Sequence, residues 1–272
     1  MSFILISIII ITLNEAENLE TTINAVRSAA KFNSGKTIEF EIIVSDGGST
    51  DGTLKIANKI AEKVIHAPKG RYKQLNIGAM EASGEILLFL HADSCLPRGG
   101  LIRVYHKLKD PCVIGGGFLK IWRWSPDVKR SKLVDFMIYF KEKFDNFVVK
   151  ITKMFPGDNA IFLRKSAYKQ LDGFSPMWIC EDFDFSLRLK KFSKNNVCST
   201  GKNLKKYRIE YIQPPVKTSA RRIEKYGFIK TFGLWFFIYY FWKFGMSQEN
   251  LRKRFKKYKI EPERVNTNIL RF

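Results

Sequence analysis

The chain has 272 residues, 45% of them hydrophobic and 27% charged, which suits one large or two small α/β domains and excludes a fibrous or low-complexity protein. Its net charge is +21, and residues 201–272 hold 18 basic against 5 acidic side chains. Nucleic acid, anionic lipid and a phosphorylated substrate all match that excess, and charge alone does not choose among them. Four scattered cysteines (Cys95, Cys112, Cys180, Cys198) form no Cys-x-x-Cys pair, which argues against a zinc ribbon or a disulfide framework and fits a reducing compartment.

The opening "MSFILISIIIITLNEAENLE" lacks a basic n-region and a small-residue cleavage site. Its apolar run is about ten residues, short of the roughly 20 that span a bilayer, so residues 4–12 are predicted as a buried strand. Leu19, Ile23, Val26 and Ala30 then recur at a helical period. "FEIIVSD" predicts a second strand, and "GGSTDGT" a turn in which Ser49, Thr50 and Asp51 are all able to cap the next helix. "KVIHAP" predicts a short strand, "GRYKQLNIGAMEASG" a helix closed by Gly84, and "EILLFLHAD" another strand. Apolar strands alternating with amphipathic helices predict a mostly parallel sheet with helices on both faces. Ligands of such sheets bind beyond the carboxyl ends of the strands. Three polar clusters fall there: residues 12–15, 46–49 and 91–93.

The second half is less regular. "CVIGGGFLKIW" predicts a strand, residues 126–153 alternate aromatics with lysines and take no assignment, and "GDNAIFLRKSAYKQLDGF" predicts a strand and a short helix. "EDFDFSLRLKKF" predicts a helix with Glu181 and Asp182 in its first turn, "QPPVKTSARR" a loop, and "TFGLWFFIYYFW" an aromatic segment flanked by lysines. The division expected is a catalytic domain over residues 1–215 and a basic, aromatic C-terminal helical segment over 216–272. That segment packs on the domain or lies at a membrane interface with its lysines on anionic lipid.

No Gly-x-Gly-x-x-Gly follows the first strand and no Gly-x-x-x-x-Gly-Lys-Ser/Thr occurs, which disfavours dinucleotide and P-loop sites. Asp46 before Gly47-Gly48 either meets a base or ribose or makes an Asx-type turn, and alone the turn is favoured. His91 and Asp93 share a strand face. Together they can hold Mn²⁺ or Mg²⁺ against a diphosphate, or serve as an interior histidine and a cap. Glu181-Asp182 read as a general base with a positioning neighbour, or as charges favoured at a helix start. Arg221-Arg222 read as a diphosphate clamp or as solvated surface.

In this order the segments resemble glycosyltransferase family 2, the inverting nucleotide-sugar transferases with the GT-A fold. "SIIIITLNEAENLETTINAV" looks like the opening strand and Asn-Glu turn, and "EIIVSDGGSTDGT" like the Asp-Asp-Gly-Ser-x-Asp-Gly-Thr signature with Gly47 in place of the second Asp. "GRYKQLNIGAMEASGEILLFLHAD" looks like the helix leading to Asp-x-Asp, with His-Ala-Asp in its place as in a prokaryotic subgroup. "GDNAIFLRKSAYKQLDGF" and "EDFDFSLRLKK" resemble the acceptor-side segment and the catalytic Glu-Asp. The resemblance implies that Asp46 binds the base, that Asn14 and Glu15 line the nucleotide pocket, and that Asp93 ligates the cation beside His91. It implies Asp182 as base beside Glu181, Asp158 at the sugar or acceptor, and Arg71, Gln74, Arg221 and Arg222 near the diphosphate. The donor expected is a UDP-sugar and the acceptor a lipid or lipid-linked hydroxyl, at the cytoplasmic face of a membrane and without nucleic acid. Absence of Gln-x-x-Arg-Trp argues for single-sugar transfer. A nucleotidyltransferase on a similar sheet is the nearer alternative, and a basic nucleic-acid-binding protein the more distant one.

Overall fold

A run of β-branched isoleucines with no alternation makes a strand that must be covered on both faces. In the computed structural model, which describes residues 4–32, 35, 37–200 and 203–255, that strand is β1 (Ile6–Thr12), buried along its whole length. β2 (Phe40–Asp46) pairs with it in parallel, and β3 (Lys63–His66) extends β2, also in parallel. β4 (Ile86–His91) takes the other edge of β1 in the same direction. Beyond β4 the sheet becomes mixed. β5 (Ser94–Cys95), β6 (Val113–Arg123), β7 (Phe162–Arg164) and β10 (Arg208–Ser219) complete the order β3-β2-β1-β4-β7-β6-β10-β5. β7 is antiparallel to β4 and β6, and β6 is parallel to β10. β8 (Val197–Thr200) and β9 (Asn203–Lys206) form a separate hairpin.

The helices are α1 (Ala16–Ala29), α2 (Thr53–Ile60), α3 (Arg71–Met80), α4 (Gly100–Leu108), α5 (Lys132–Thr152), α6 (Lys165–Gln170), α7 (Glu181–Asn195), α8 (Arg221–Tyr226), α9 (Phe228–Lys243) and α10 (Gln248–Phe255). Side-chain parity along β1 divides the core in two. Ile6, Ile8 and Ile10 pack with Leu19 and Ile23 of α1 and Val104 of α4. Ile9 and Ile11 pack on the other face with Leu75 of α3 and with Phe185 and Leu189 of α7. Gly78 lets α3 approach, since a Cβ there would overlap the Ile9 side chain. In β4, Leu87 and Phe89 belong to the α3–α7 side, so alternation sends His91 to that same side.

Four expectations are corrected. The helix over "RYKQLNIGAM" closes at Met80 with Glu81 as its cap. Gly84 instead admits the start of β4, where a Cβ would lie 2.6 Å from the Leu5 carbonyl oxygen. The α2 cap is Gly52 without a side-chain bond, while Asp51 accepts hydrogen bonds from Thr53 N and Ala16 N. "QPPVKTS" is strand, not loop: β10 shifts register between Ile212 and Val216, and Pro214-Pro215 sit in that irregularity, where strand prolines are tolerated. Cys112 and Cys198, 86 positions apart, are joined in a disulfide with Cα atoms 5.3 Å apart. Their spacing carries no trace of this, because the fold alone brings them together, and the argument from free thiols to a reducing compartment does not extend to this pair. The unassigned residues 126–153 contain α5. Among the described residues no helix is long and apolar enough to cross a membrane.

Candidate active site

Register places the chemistry before any side chain is considered. Thr12 stands opposite Asp46 and Ile11 opposite His91, so β1, β2 and β4 end together at one edge. Asp46 is fully buried and organises its own turn. Its carboxylate accepts bonds from Thr12 Oγ1 (2.8 Å), Gly48 N (2.9 Å), Ser49 N (2.8 Å) and Ser49 Oγ (2.5 Å). Asn14, in the left-handed region at φ 56°, accepts from Thr50 N at 2.8 Å, and its own N–H donates to Ser49 Oγ. Asp46 and Asn14 therefore bind the two turns to each other and do not line the cleft. Gln74 is buried and donates to the carbonyls of Thr12 (2.7 Å) and Ser45 (3.0 Å), tying α3 to the ends of β1 and β2.

The cleft, about 1190 Å³, brings together Glu15, Arg71, Gln74, His91, Asp93, Asp158, Asp182, Arg221 and Arg222 from the sequence-derived set. At its first corner Arg221 donates to both Glu15 oxygens, at 2.8 and 2.5 Å, and stands 3.2 Å from Asp93 Oδ2. Burial raises the Glu15 carboxyl above its ordinary value against the pull of Arg221. Arg222 lies over the Trp235 ring, 5.2 Å from its centroid. Burial, with Arg71 and Arg221 nearby, lowers its guanidinium to about 10.

At the second corner Arg71 is 3.6 Å from buried Glu181. Burial would lower the Arg71 guanidinium, but the surrounding Glu181, Asp182, Asp158 and Asp93 raise it. Burial pushes Glu181 up to about 7, with Arg71 pulling down and Asp182 pushing up. Its Oε2 has no hydrogen-bond partner among the described residues. His91 is held below its usual value by burial and by Arg71, so the ring is neutral near pH 7. Asp182 Oδ2 accepts from Gly157 N at 2.5 Å and Oδ1 from Phe183 N at 2.8 Å, which leaves lone pairs on both oxygens. Gly157 is small for a reason: a Cβ there would be 2.9 Å from His91 Nε2 and 3.3 Å from Asp182 Oδ2. Asp158 accepts from Lys120 Nζ at 2.5 Å. Burial works to raise its carboxyl, but Lys120 and His91 hold it below the ordinary value.

Lys120 was not singled out from sequence, nor was the Glu15–Arg221 pair, whose members are 206 positions apart. The Lys in "GGFLKIW" carries no mark distinguishing it from the many surface lysines. Among the described residues no group of three or more His, Cys, Asp and Glu is set to cage a metal. Asp93 and the neutral imidazole of His91 line the same cleft. A Mg²⁺ or Mn²⁺ shared with a diphosphate requires only one or two protein ligands, the rest coming from phosphate and water. The donor set fits a cation completed by substrate.

Glycosyltransferase AglE of Haloferax volcanii is 36% identical over 99 residues, 34% of this chain and 31% of that protein. The cholesterol galactosyltransferase of Borreliella burgdorferi is 30% identical over 167 residues, 57% of this chain and 45% of that one. The chain thus spans under half the length of these relatives. The mannosyltransferase PcManGT of Pyrobaculum calidifontis, solved with GDP-Man and Mn²⁺, superimposes with a TM-score of 0.51 at 20% identity, covering 81% of this chain and 60% of that one. The fold is GT-A. Residues 7–171, more than half of the chain, match the sequence profile described as glycosyl transferase family 2, and the chain belongs to that family.

Proposed function

We propose that the protein moves one hexose from a nucleotide-diphosphate sugar to an acceptor hydroxyl on a lipid or lipid-linked molecule, with inversion. One observation carries the reading: a single cleft is lined by the Asp182 carboxylate and by Arg71, Arg221 and Arg222, and it continues into an apolar wall of Trp178, Phe183 and Trp235. Such a cleft suits an anionic donor and a greasy acceptor together.

Asp182 removes the proton of the acceptor hydroxyl as its oxygen attacks the anomeric carbon, and the bond to the donor phosphate oxygen breaks on the opposite side. The departing nucleoside diphosphate carries negative charge, which Arg71, Arg221 and Arg222 stabilise from fixed positions. A divalent cation held by Asp93 with His91 would neutralise diphosphate charge when bound. Glu15 holds the Arg221 fork, and Lys120 holds Asp158 where the sugar or acceptor hydroxyls arrive. Glu181, buried behind Arg71, orients that guanidinium.

Calorimetry with UDP- and GDP-sugars in the presence of Mn²⁺ tests the donor half. The expected result is saturable binding that Asp93→Ala weakens by about tenfold or more, the scale of losing one ligand's support at a metal. Binding by no nucleotide sugar refutes the donor assignment, and unchanged affinity in Asp93→Ala removes Asp93 from the cation.

A further inference from the structure

A helix packed on a globular core buries its apolar stripe and turns its charges outward. α5 does the reverse. Over its 21 residues only Ile138 and Val149 are buried. Leu133, Phe136, Phe140, Phe144, Phe147 and Ile151 are each 58–68% exposed. Their spacings of three and four residues set them on one side of the helix, a stripe about 27 Å long at 1.5 Å per residue. Contiguous exposed apolar surface of this size marks an interaction site.

The charges on α5 tell what that site meets. By helical phase Lys132, Lys143 and Lys150 flank the stripe on one side and Lys141 on the other. The acids lie on the half opposite the stripe: Glu142 accepts from Trp122 N at 2.6 Å, half-exposed Asp135 pairs with Arg130 at 2.9 Å, and Asp145 pairs with Lys141. The outer half is therefore apolar, with Lys132, Lys143 and Lys150 along one border and Lys141, paired to Asp145, on the other. α9 repeats the pattern. Ile229, Phe236, Phe237 and Tyr240 are exposed, with Lys230 and Lys243 toward its two ends. The helices adjoin where Lys141 Nζ sits 4.7 Å from the centroid of the Phe232 ring. Phe144 and Val148 of α5 and Phe236 of α9 line the cleft and are also exposed, at 63, 36 and 63%. The mouth of the cleft opens onto this face.

We propose that the α5–α9 face seats in the headgroup region of an anionic lipid leaflet, its aromatics inserted to the acyl boundary and its lysines on the phosphates. A lysine-bordered stripe of aromatics, on a helix too rich in charge to span, is what interfacial insertion requires. Acidic residues bordering the stripe would favour a basic protein partner; none does. The surface stands on α5 and α9 alone, while its use, presenting the cleft mouth to an acceptor in the leaflet, rests on the transferase reading.

The test is cosedimentation of the full chain with phosphatidylcholine vesicles, with and without phosphatidylglycerol, in the absence of any sugar donor. The expected result is association with the phosphatidylglycerol vesicles that falls as salt rises. Phe136→Ser/Phe140→Ser/Phe147→Ser and Lys143→Glu/Lys150→Glu should each weaken it by at least about tenfold. All five side chains are exposed, none lines the cleft, and nucleotide-sugar affinity measured separately should match that of the unaltered chain. Vesicle binding without donor binding would sink the transferase reading and leave the surface standing. An unaltered chain that ignores phosphatidylglycerol vesicles overturns the proposal, as does a triple serine variant that binds like it. Light scattering that shows a dimer dissolved by the serine changes, without vesicle binding, assigns the stripe to a second copy and overturns it too.

Discussion

Two adjacent acids begin α7, and their surroundings separate them. Asp182 faces the cleft, while Glu181 is buried against Arg71 with its carboxyl raised to about 7. One of the pair holds its proton through mildly acidic pH, which spares the site a second full negative charge. The folded state binds that proton more tightly than the unfolded chain. Glu181 therefore stabilises the fold below its ordinary value near 4.5, and the contribution is lost as pH rises through about 7. Glu181→Gln should remove that slope: its melting temperature, compared with that of the unaltered protein, should improve steadily from pH 4.5 to above 7. Parallel melting curves across the window would contradict the assignment. At this scale sequence showed residue types and missed partners. Asp93 and Asp182 stood out by position, but nothing in the local pattern pairs Glu15 with Arg221 or Lys120 with Asp158. Asp46 was visible as a candidate, and its environment, four donors from its own turn and from Thr12, became visible only in three dimensions.

Between elements, close approach decides. Gly115, Gly116 and Gly117 let β6 lie against β7, β10 and Phe155, and a Cβ on Gly116 would overlap the Glu210 carbonyl of β10. Gly116→Ala must therefore shift a strand that carries the chain to Arg221 and Arg222. The expected loss of stability is about 1–3 kcal/mol or more, read as a lower urea midpoint at unchanged slope; an unshifted midpoint would contradict the packing. The strands and helices of the first half were legible because apolar period and burial coincide there. α5 was not, because its apolar period serves an outward face interleaved with lysines, so the usual inference from period to core had no object. β10 was obscured by Pro214-Pro215, which a register shift accommodates.

For the molecule as a whole, alternation of strand and helix foretold a sheet with two cores and a polar carboxyl edge, and the order β3-β2-β1-β4 brings the turns after β1, β3 and β4 to one cleft. The mixed half, β7-β6-β10-β5, could not be ordered from sequence, since antiparallel insertion of a three-residue strand leaves no periodic signal. The net charge of +21 is a property of this scale as well, and lysine-bordered α5 and α9 give it a direction. The proposed reaction joins these parts: a sugar transferred in the cleft and a nucleoside diphosphate released from it. Nucleotide release, measured with UDP- and GDP-sugars, Mn²⁺ and a lipid acceptor mixture in vesicles, tests it most directly. The proposed reaction yields nucleoside diphosphate and a glycosylated lipid from the unaltered chain. It predicts a loss of turnover of at least about a hundredfold, with donor affinity retained, for Asp182→Asn. Release of pyrophosphate, or undiminished turnover in Asp182→Asn, would contradict it.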